Sequence, residues 1–342
     1  MIELKNISKS FNTGTPNEAK VFDNLNLILN EGDFVTVIGG NGAGKSTLIN
    51  IISGSISPDE GKVLLNNANI TNMKEHQRAP YFGRVFQDPM VGTAADMTVL
   101  ENLALAYGRG RPRSLFRWSY RKSDIQTFID DLKTLDLGLE KRLYQKVGLL
   151  SGGQRQALTL LMATIRNKPT YARIKKDYVR FSSGDKKAAQ NVINQTFIEA
   201  KNNFIKTKNI IKANNSLTKE EKKKMHAEAF ATYDKTIRAF DVTKPVLLLD
   251  EHTAALDPKT AEKVLQITER IVTENNLTTV MITHNMKDAI RYGNRLIMLS
   301  QGQIIADVTG EEKQKLTIET LLKLFVTNSK NDILSDSTIL GN

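Results

Sequence analysis

Cysteine is absent from all 342 residues, so the chain can build neither a disulfide nor a thiolate metal site. Its four histidines are scattered and form no metal cluster. No stretch approaches the roughly 18 to 20 apolar residues that span a bilayer. The opening residues Met1-Ile2-Glu3-Leu4-Lys5 lack the basic-then-apolar layout of a signal peptide. These absences lead us to expect a protein of the reducing cytoplasm. Excess acid is missing too, and the formal net charge is +11. That charge is local. Between Lys168 and Lys244 there are 18 Lys and Arg against 8 Asp and Glu, whereas the rest of the chain carries 30 against 29. The basicity belongs to one segment, which argues against a chain-wide attraction to nucleic acid or lipid. Apolar content of 40% is enough for a substantial core in one large domain or two.

What is present is a pair of short glycine-rich stretches far apart. Gly39-Gly40-Asn41-Gly42-Ala43-Gly44-Lys45-Ser46-Thr47 fits G-x-x-x-x-G-K-[ST]. A β-rich run, Phe34 to Ile38, leads into it, and Leu48, Ile51 and Ile52 follow at helical spacing until Gly54. Strand, glycine loop and helix are the setting of a phosphate cradle. The small residues Gly39, Gly42, Ala43 and Gly44, with Asn41 among them, let backbone N–H groups wrap an anion, and the helix adds its positive end. Lys45 would neutralise β- and γ-phosphate oxygens, Ser46 would ligate Mg²⁺, and Thr47 would donate to the α-phosphate. The second stretch, Leu150-Ser151-Gly152-Gly153-Gln154, opens a helix whose face carries Leu158, Leu161, Met162 and Ile165. Its free N–H groups and dipole also call for an anion. Val246 to Leu249 reads as a buried parallel strand. It ends in Asp250, placed to hold Mg²⁺ through water, and Glu251, placed to orient and polarise an attacking water.

Strands alternate with helices along most of the chain, the pattern of an α/β fold with a largely parallel sheet. From about Met97 to residue 165 the reading turns helical. It includes a capping box at Thr98-Val99-Leu100-Glu101 and a helix from Ser123 to Leu132. The basic loop Arg109–Lys122 between them is either solvated or a contact for a membrane subunit or lipid head groups. After Glu251 the spacing predicts a helix over 258–275, strands at 279–282 and 296–299, a helix at 286–291, and a tail with one helix, Ile318–Phe325.

On these residues the chain resembles the ATP-binding subunits of ABC transporters. The resemblance covers residues 1–165 and about 245–308. It rests on Gly39–Thr47, Val85-Phe86-Gln87-Asp88-Pro89, Leu150–Gln154, Val246–Glu251, Ala254-Ala255-Leu256-Asp257 and Ile282-Thr283-His284, in the family's order. It implies a P-loop ATPase cassette with a RecA-like parallel-sheet core, an antiparallel β region and a helical subdomain. It implies ATP and Mg²⁺ as cofactors and further roles for named residues. Gln87 would sense Mg²⁺ and the attacking water and couple to the membrane partner. His284 would contact the γ-phosphate and hold Glu251. Asp257 would lie at a dimer seam. Phe11 would stack on adenine, with ordinary core packing as the less favoured alternative. Ser151, Gly152, Gly153 and Gln154 would grip the γ-phosphate held by the opposite subunit of a homodimer or pseudo-symmetric dimer. His252 stands where the family commonly has proline and is read without a catalytic role.

The implied activity is ATP hydrolysis powering transport, at the cytoplasmic face of the membrane, beneath integral-membrane permease subunits and with a separate substrate-binding protein. The runs Asp250–Pro258 and Phe86–Pro89, followed by Gly92-Thr93-Ala94, look most like those of bacterial amino-acid uptake systems. The rival reading is a non-transport ABC ATPase acting on nucleic acid or the ribosome.

One segment does not fit the family. Residues 168–244, bracketed by Pro169 and Pro245, interrupt the usual short passage from the second glycine stretch to Asp250. Ala189, Ile193, Phe197, Phe204 and Ile211 suggest one amphipathic helix. Thr218-Lys219-Glu220-Glu221 caps a second that carries Met225, Phe230, Tyr233 and Ile237. The expectation is an inserted antiparallel helical hairpin with a basic outer face, outside the catalytic machinery. It would be a tolerated insertion, a docking arm for a protein or the anionic inner leaflet, or, least expected, a nucleic-acid binder.

Overall fold

The computed structural model describes residues 1–109, 120, 122–165, 171–182, 184–241 and 245–328. The chain divides into two compact units: residues 1–64, 69–167 and 244–342, and residues 168–243 together with 65–68. In chain order the strands are β1 (Ile2–Phe11), β2 (Ala19–Leu29), β3 (Phe34–Gly39), β4 (Glu60–Leu65), β5 (Ala68–Asn69), β6 (Phe82–Val85), β7 (Val246–Asp250), β8 (Thr278–Ile282), β9 (Arg295–Ser300) and β10 (Gln303–Thr309). They make one sheet of order β2-β1-β4-β5, with β1 and β2 antiparallel, and a second of order β10-β9-β3-β8-β7-β6. In the second sheet β9, β3, β8, β7 and β6 run parallel, and β10 closes one edge antiparallel. Strands β3, β7 and β8 are buried almost throughout, which is why their sequences are continuous apolar runs and not alternating ones.

The helices of the first unit are α1 (Lys45–Ser53), α2 (Glu75–Arg78), α3 (Val99–Tyr107), α4 (Lys122–Lys133) and α5 (Gly152–Thr164). Helices α6 (Tyr171–Phe181), α7 (Lys186–Ala213) and α8 (Lys219–Arg238) form the second unit. The first unit resumes with α9 (Pro258–Glu274), α10 (Met286–Arg291), α11 (Gly310–Gln314) and α12 (Ile318–Asn328). Helices α3, α4 and α5 share a buried cluster with the sheet: Leu103, Phe128, Leu132 and Leu158 lie in it with Val85, Leu249 and Met281. The Thr98 side chain accepts from Glu101 N, and Glu101 reaches back to Thr98 N at 2.7 Å, so α3 begins in a true capping box.

Three cations, Arg78 and Lys313 buried and Arg109 half-buried, close helix C-termini at long range. Arg78 donates to Ile51 O and Ile52 O at the end of α1, at 2.8 and 2.9 Å. Burial lowers its pKa to about 10. Arg109 donates to Met162 O and Ala163 O at the end of α5. Lys313 donates to Ile290 O, Tyr292 O and Gly293 O beyond α10, and burial lowers its pKa to about 8. Each satisfies carbonyls that no intrahelical N–H reaches. Most of the basic loop 109–122 lies outside the described residues. Its first residue, Arg109, has its guanidinium engaged by the carbonyls at the end of α5. The tail also differs from expectation: α11 precedes α12, and the polar run Glu311-Glu312-Lys313 showed no apolar period that would have marked it.

Among its described residues the inserted segment contains three helices, not only the expected two. Helices α7 and α8 pair antiparallel, with Phe204 stacked on Tyr233 at 5.5 Å between ring centroids. The additional α6 sets Tyr171 edge-on to both Phe197 and Tyr233. The Tyr171 hydroxyl donates to Asp234 at 2.8 Å, and its pKa is raised to about 12, mainly by burial. Ile174, Phe181, Ile193, Ile211 and Ile237 form this unit's buried interior. Basic residues interleave the apolar ones of α6, which hid its period.

Candidate nucleotide site

Parallel strands deliver their carboxyl ends to one edge of a sheet, and here four adjacent strands do so. Gly39 ends β3, Thr283 and His284 follow β8, Asp250 ends β7 with Glu251 next to it, and Gln87 lies two residues beyond β6. The glycine loop crosses from β3 to α1. Gly44 is the N-cap of α1, in the left-handed region at φ 99°, and a Cβ there would lie 2.7 Å from Phe22 Cε1. A glycine cap has no side chain to accept from the first N–H groups, and no acid stands in the first turn. The positive end of α1 is left for an external anion. Asn41, Gly42 and Ser46 are exposed, Thr47 is half-buried and Ala43 is buried. The Lys45 ammonium is buried and donates to Gly39 O and Gly40 O at 2.8 and 2.9 Å. Burial lowers its pKa, while Glu251 and Asp250 oppose that shift.

Asp250 accepts from Arg84 of β6 at 3.2 Å. Burial raises its pKa and Arg84 opposes the rise. Glu251 sits at φ 48°, in the left-handed region that side chains avoid, at a cost of about 1–3 kcal/mol. Its N–H donates to Ile282 O, tying the turn to β8. Its carboxylate meets His284 Nε2 at 2.5 Å. His284 is fixed from both sides: Thr283 N donates to Val37 O, and the Asn285 side chain caps α10 by accepting from Lys287 N and Asp288 N. Gln87 is exposed, and the preceding Phe86 O accepts from Gln156 Nε2 of α5 at 3.3 Å. Phe11 is half-buried at the end of β1, outside the buried core, with the Lys9 ammonium 5.5 Å from its ring centroid.

Ser151 is the N-cap of α5. Its hydroxyl accepts from Gln154 N, while Gln154 Oε1 accepts from Ser151 N. Gln154 Nε2 donates to Leu137 O. Ser151 and Gly152 are exposed, so this helix end is open to solvent. Gly153 is buried, and a Cβ on it would lie 2.2 Å from Thr260 Cγ2 on α9. Asp257 caps α9 by accepting from Thr260 N at 3.1 Å, and hydrogen bonds from the Thr260 side chain and then its backbone lower the Asp257 pKa. His252 is buried with Nε2 3.1 Å from Thr268 Oγ1, and burial lowers its pKa to about 4. The structure thus gathers Lys45, Asp250, Glu251 and His284 at one edge. It gives Gly153, Gln154 and Asp257 local packing and capping duties as well. Sequence reasoning missed Arg84, though a lone cation in the apolar strand Phe82–Val85 was its signal.

The family model described as ABC transporter matches residues 22–172. A tyrosine transport ATP-binding protein of Clostridioides difficile is 37% identical over 327 residues, 95% of this chain and 98% of that protein. A phosphonates import ATP-binding protein of Lactococcus lactis is 25% identical over 94% of this chain and 99% of that protein. Among solved structures, the dimeric cassette MJ0796 of Methanocaldococcus jannaschii superposes with a TM-score of 0.57 at 25% identity, covering 90% of this chain and 98% of that one. The chain belongs to the ATP-binding proteins of the ABC transporter family, and it is an ATPase.

Proposed function

We propose that this chain is the energy-supplying subunit of an ABC importer, working as a head-to-tail dimer beneath separate permease subunits at the cytoplasmic membrane face. The solute class we infer is an amino acid, from the names of relatives such as the tyrosine transport protein. Residues 1–165 and 245–310 form the catalytic cassette in this reading, and 168–244 is an appended unit. The Gly39–Gly44 N–H groups and Lys45 bind the phosphates, Thr47 supports the α-phosphate, and Phe11 stacks on adenine. Ser46, Gln87 and Asp250 supply hard oxygen ligands that suit Mg²⁺. Among the described residues no group of three or more His, Cys, Asp or Glu side chains could hold a metal, so the ion would need the nucleotide's own oxygens as well. Bound there, Mg²⁺ would neutralise phosphate charge. Glu251 orients water, and His284 holds the Glu251 carboxylate. Ser151 to Gln154 of one subunit face the γ-phosphate of the other, with Asp257 at the seam.

The observation that carries this reading is the His284–Glu251 contact at the strand edge that also bears the carbonyl-bound Lys45. It is tested with Glu251→Gln. The variant should bind ATP and accumulate as an ATP-dependent dimer by size-exclusion chromatography, with turnover reduced at least about a hundredfold. Normal turnover by that variant would remove Glu251 from its role.

A further inference from the structure

Helix α7 carries two lengthwise stripes. The inward stripe includes Ala189, Ile193 and Ile211, all buried, and Phe197 and Phe204 in ring contacts. The outward stripe is Ile198, Lys201, Ile205, Lys208 and Lys212. Its steps of three and four residues keep it on one face. All five are exposed, Ile198 by 60% and Ile205 by 42%. The fourteen residue steps from Ile198 to Lys212 spread this stripe over about 21 Å. Around the turn, Ile210 and Met225 are also exposed, by 60% and 40%, beside exposed Lys219, Lys223 and Lys224. Among the described residues no carboxylate forms an ion pair with these lysines. The acids between Ile198 and Met225 are Glu199, which accepts from Gln195 Nε2 at 2.9 Å, and Glu220 and Glu221, of which Glu221 is engaged by Thr218 in a capping box.

The chemistry of the stripe selects its occupant. A second copy would bring the same unpaired cations face to face. A coiled-coil partner needs apolar residues at most seam positions, and three of these five are lysine. Nucleic acid is held by arginine forks and stacked aromatics, and the stripe has neither. An anionic bilayer suits it: isoleucine enters the interface, lysine stems lie along it, and ammonium groups reach lipid phosphates.

We propose that the α7–α8 arm is a reversible docking surface for an anionic membrane leaflet, with the outward stripe of α7 lying against the head groups. The inference stands apart from the ATPase assignment. It is tested by flotation of the full chain with phosphatidylcholine vesicles, with and without about one-third phosphatidylglycerol. Binding should require the anionic lipid and fade at about 1 M salt, where the Debye length falls to about 3 Å. Joint Lys201→Gln, Lys208→Gln and Lys212→Gln substitution should weaken binding roughly a hundredfold. Joint Ile198→Ser and Ile205→Ser substitution should weaken it less and preserve the salt dependence. Helical content by circular dichroism and basal ATPase rate should stay at wild-type levels in both. Equal binding to neutral vesicles, no binding, indifference to the lysine changes, or preferential capture of RNA over vesicles would each overturn the proposal.

Discussion

A histidine next to the proposed water-orienting glutamate invites a catalytic reading, and burial denies it to His252. Thr268 Oγ1 donates to Val264 O, so it accepts from His252 Nε2–H, and burial lowers the His252 pKa so that the ring is neutral near pH 7. Its pKa of about 4 in the folded chain compares with about 6.5 in an unfolded one. Between those values the unfolded chain binds the extra proton. Acidification therefore favours unfolding, and stability is lost as pH falls from about 6.5 toward 4. The loss should reach about 2 kcal/mol near pH 5. Urea midpoints of wild type should drop more steeply between about pH 7 and pH 5 than those of His252→Gln, which has no ring to titrate. Parallel profiles for the two proteins would show that His252 is not the group responsible.

The packing of α5 on α9 explains why the second glycine stretch cannot be read as a phosphate motif alone. Gly153 leaves no room for a Cβ beside Thr260, and Thr260 N is the donor that Asp257 caps. Gly153→Ala should cost about 1–3 kcal/mol through overpacking, before any nucleotide is added. Thr260→Ser removes the offending methyl and should recover most of that loss in the double variant. Full thermal stability in Gly153→Ala alone would confine this glycine to the nucleotide.

What was legible in the sequence follows the same division. The strand, glycine loop and α1 are contiguous, as are the Thr98 and Thr218 capping boxes, so local pattern sufficed. The contacts that escaped are distant in the chain. Arg84 and Asp250 are 166 positions apart, and Arg109 lies 54 from Ala163. Helix α6 escaped because its buried Ile174 and Phe181 are diluted by Arg173, Lys175, Lys176 and Arg180.

At the scale of the whole chain, the question is whether the catalytic cassette depends on its insertion. A buried cluster of the first unit draws on β6, β7 and β8 and on α3, α4, α5 and α9, and among the described residues it includes none from 168–243. The second unit has its own buried side chains and an aromatic group around Tyr171, Phe204 and Tyr233. Each unit therefore buries its apolar surface largely with its own residues, the condition for folding apart. The end of α5 has its own cap in Arg109, so its last carbonyls do not rely on the inserted helices. Replacing 168–244 by a short Gly/Ser linker should leave a folded cassette with basal ATPase within about threefold of wild type, because Lys45, Glu251 and His284 sit at the sheet's carboxyl edge. The same deletion should abolish flotation with anionic vesicles, separating the two units by function as well as by core. A soluble, folded deletion variant with no turnover would mean that the inserted helices hold the cassette in its active geometry.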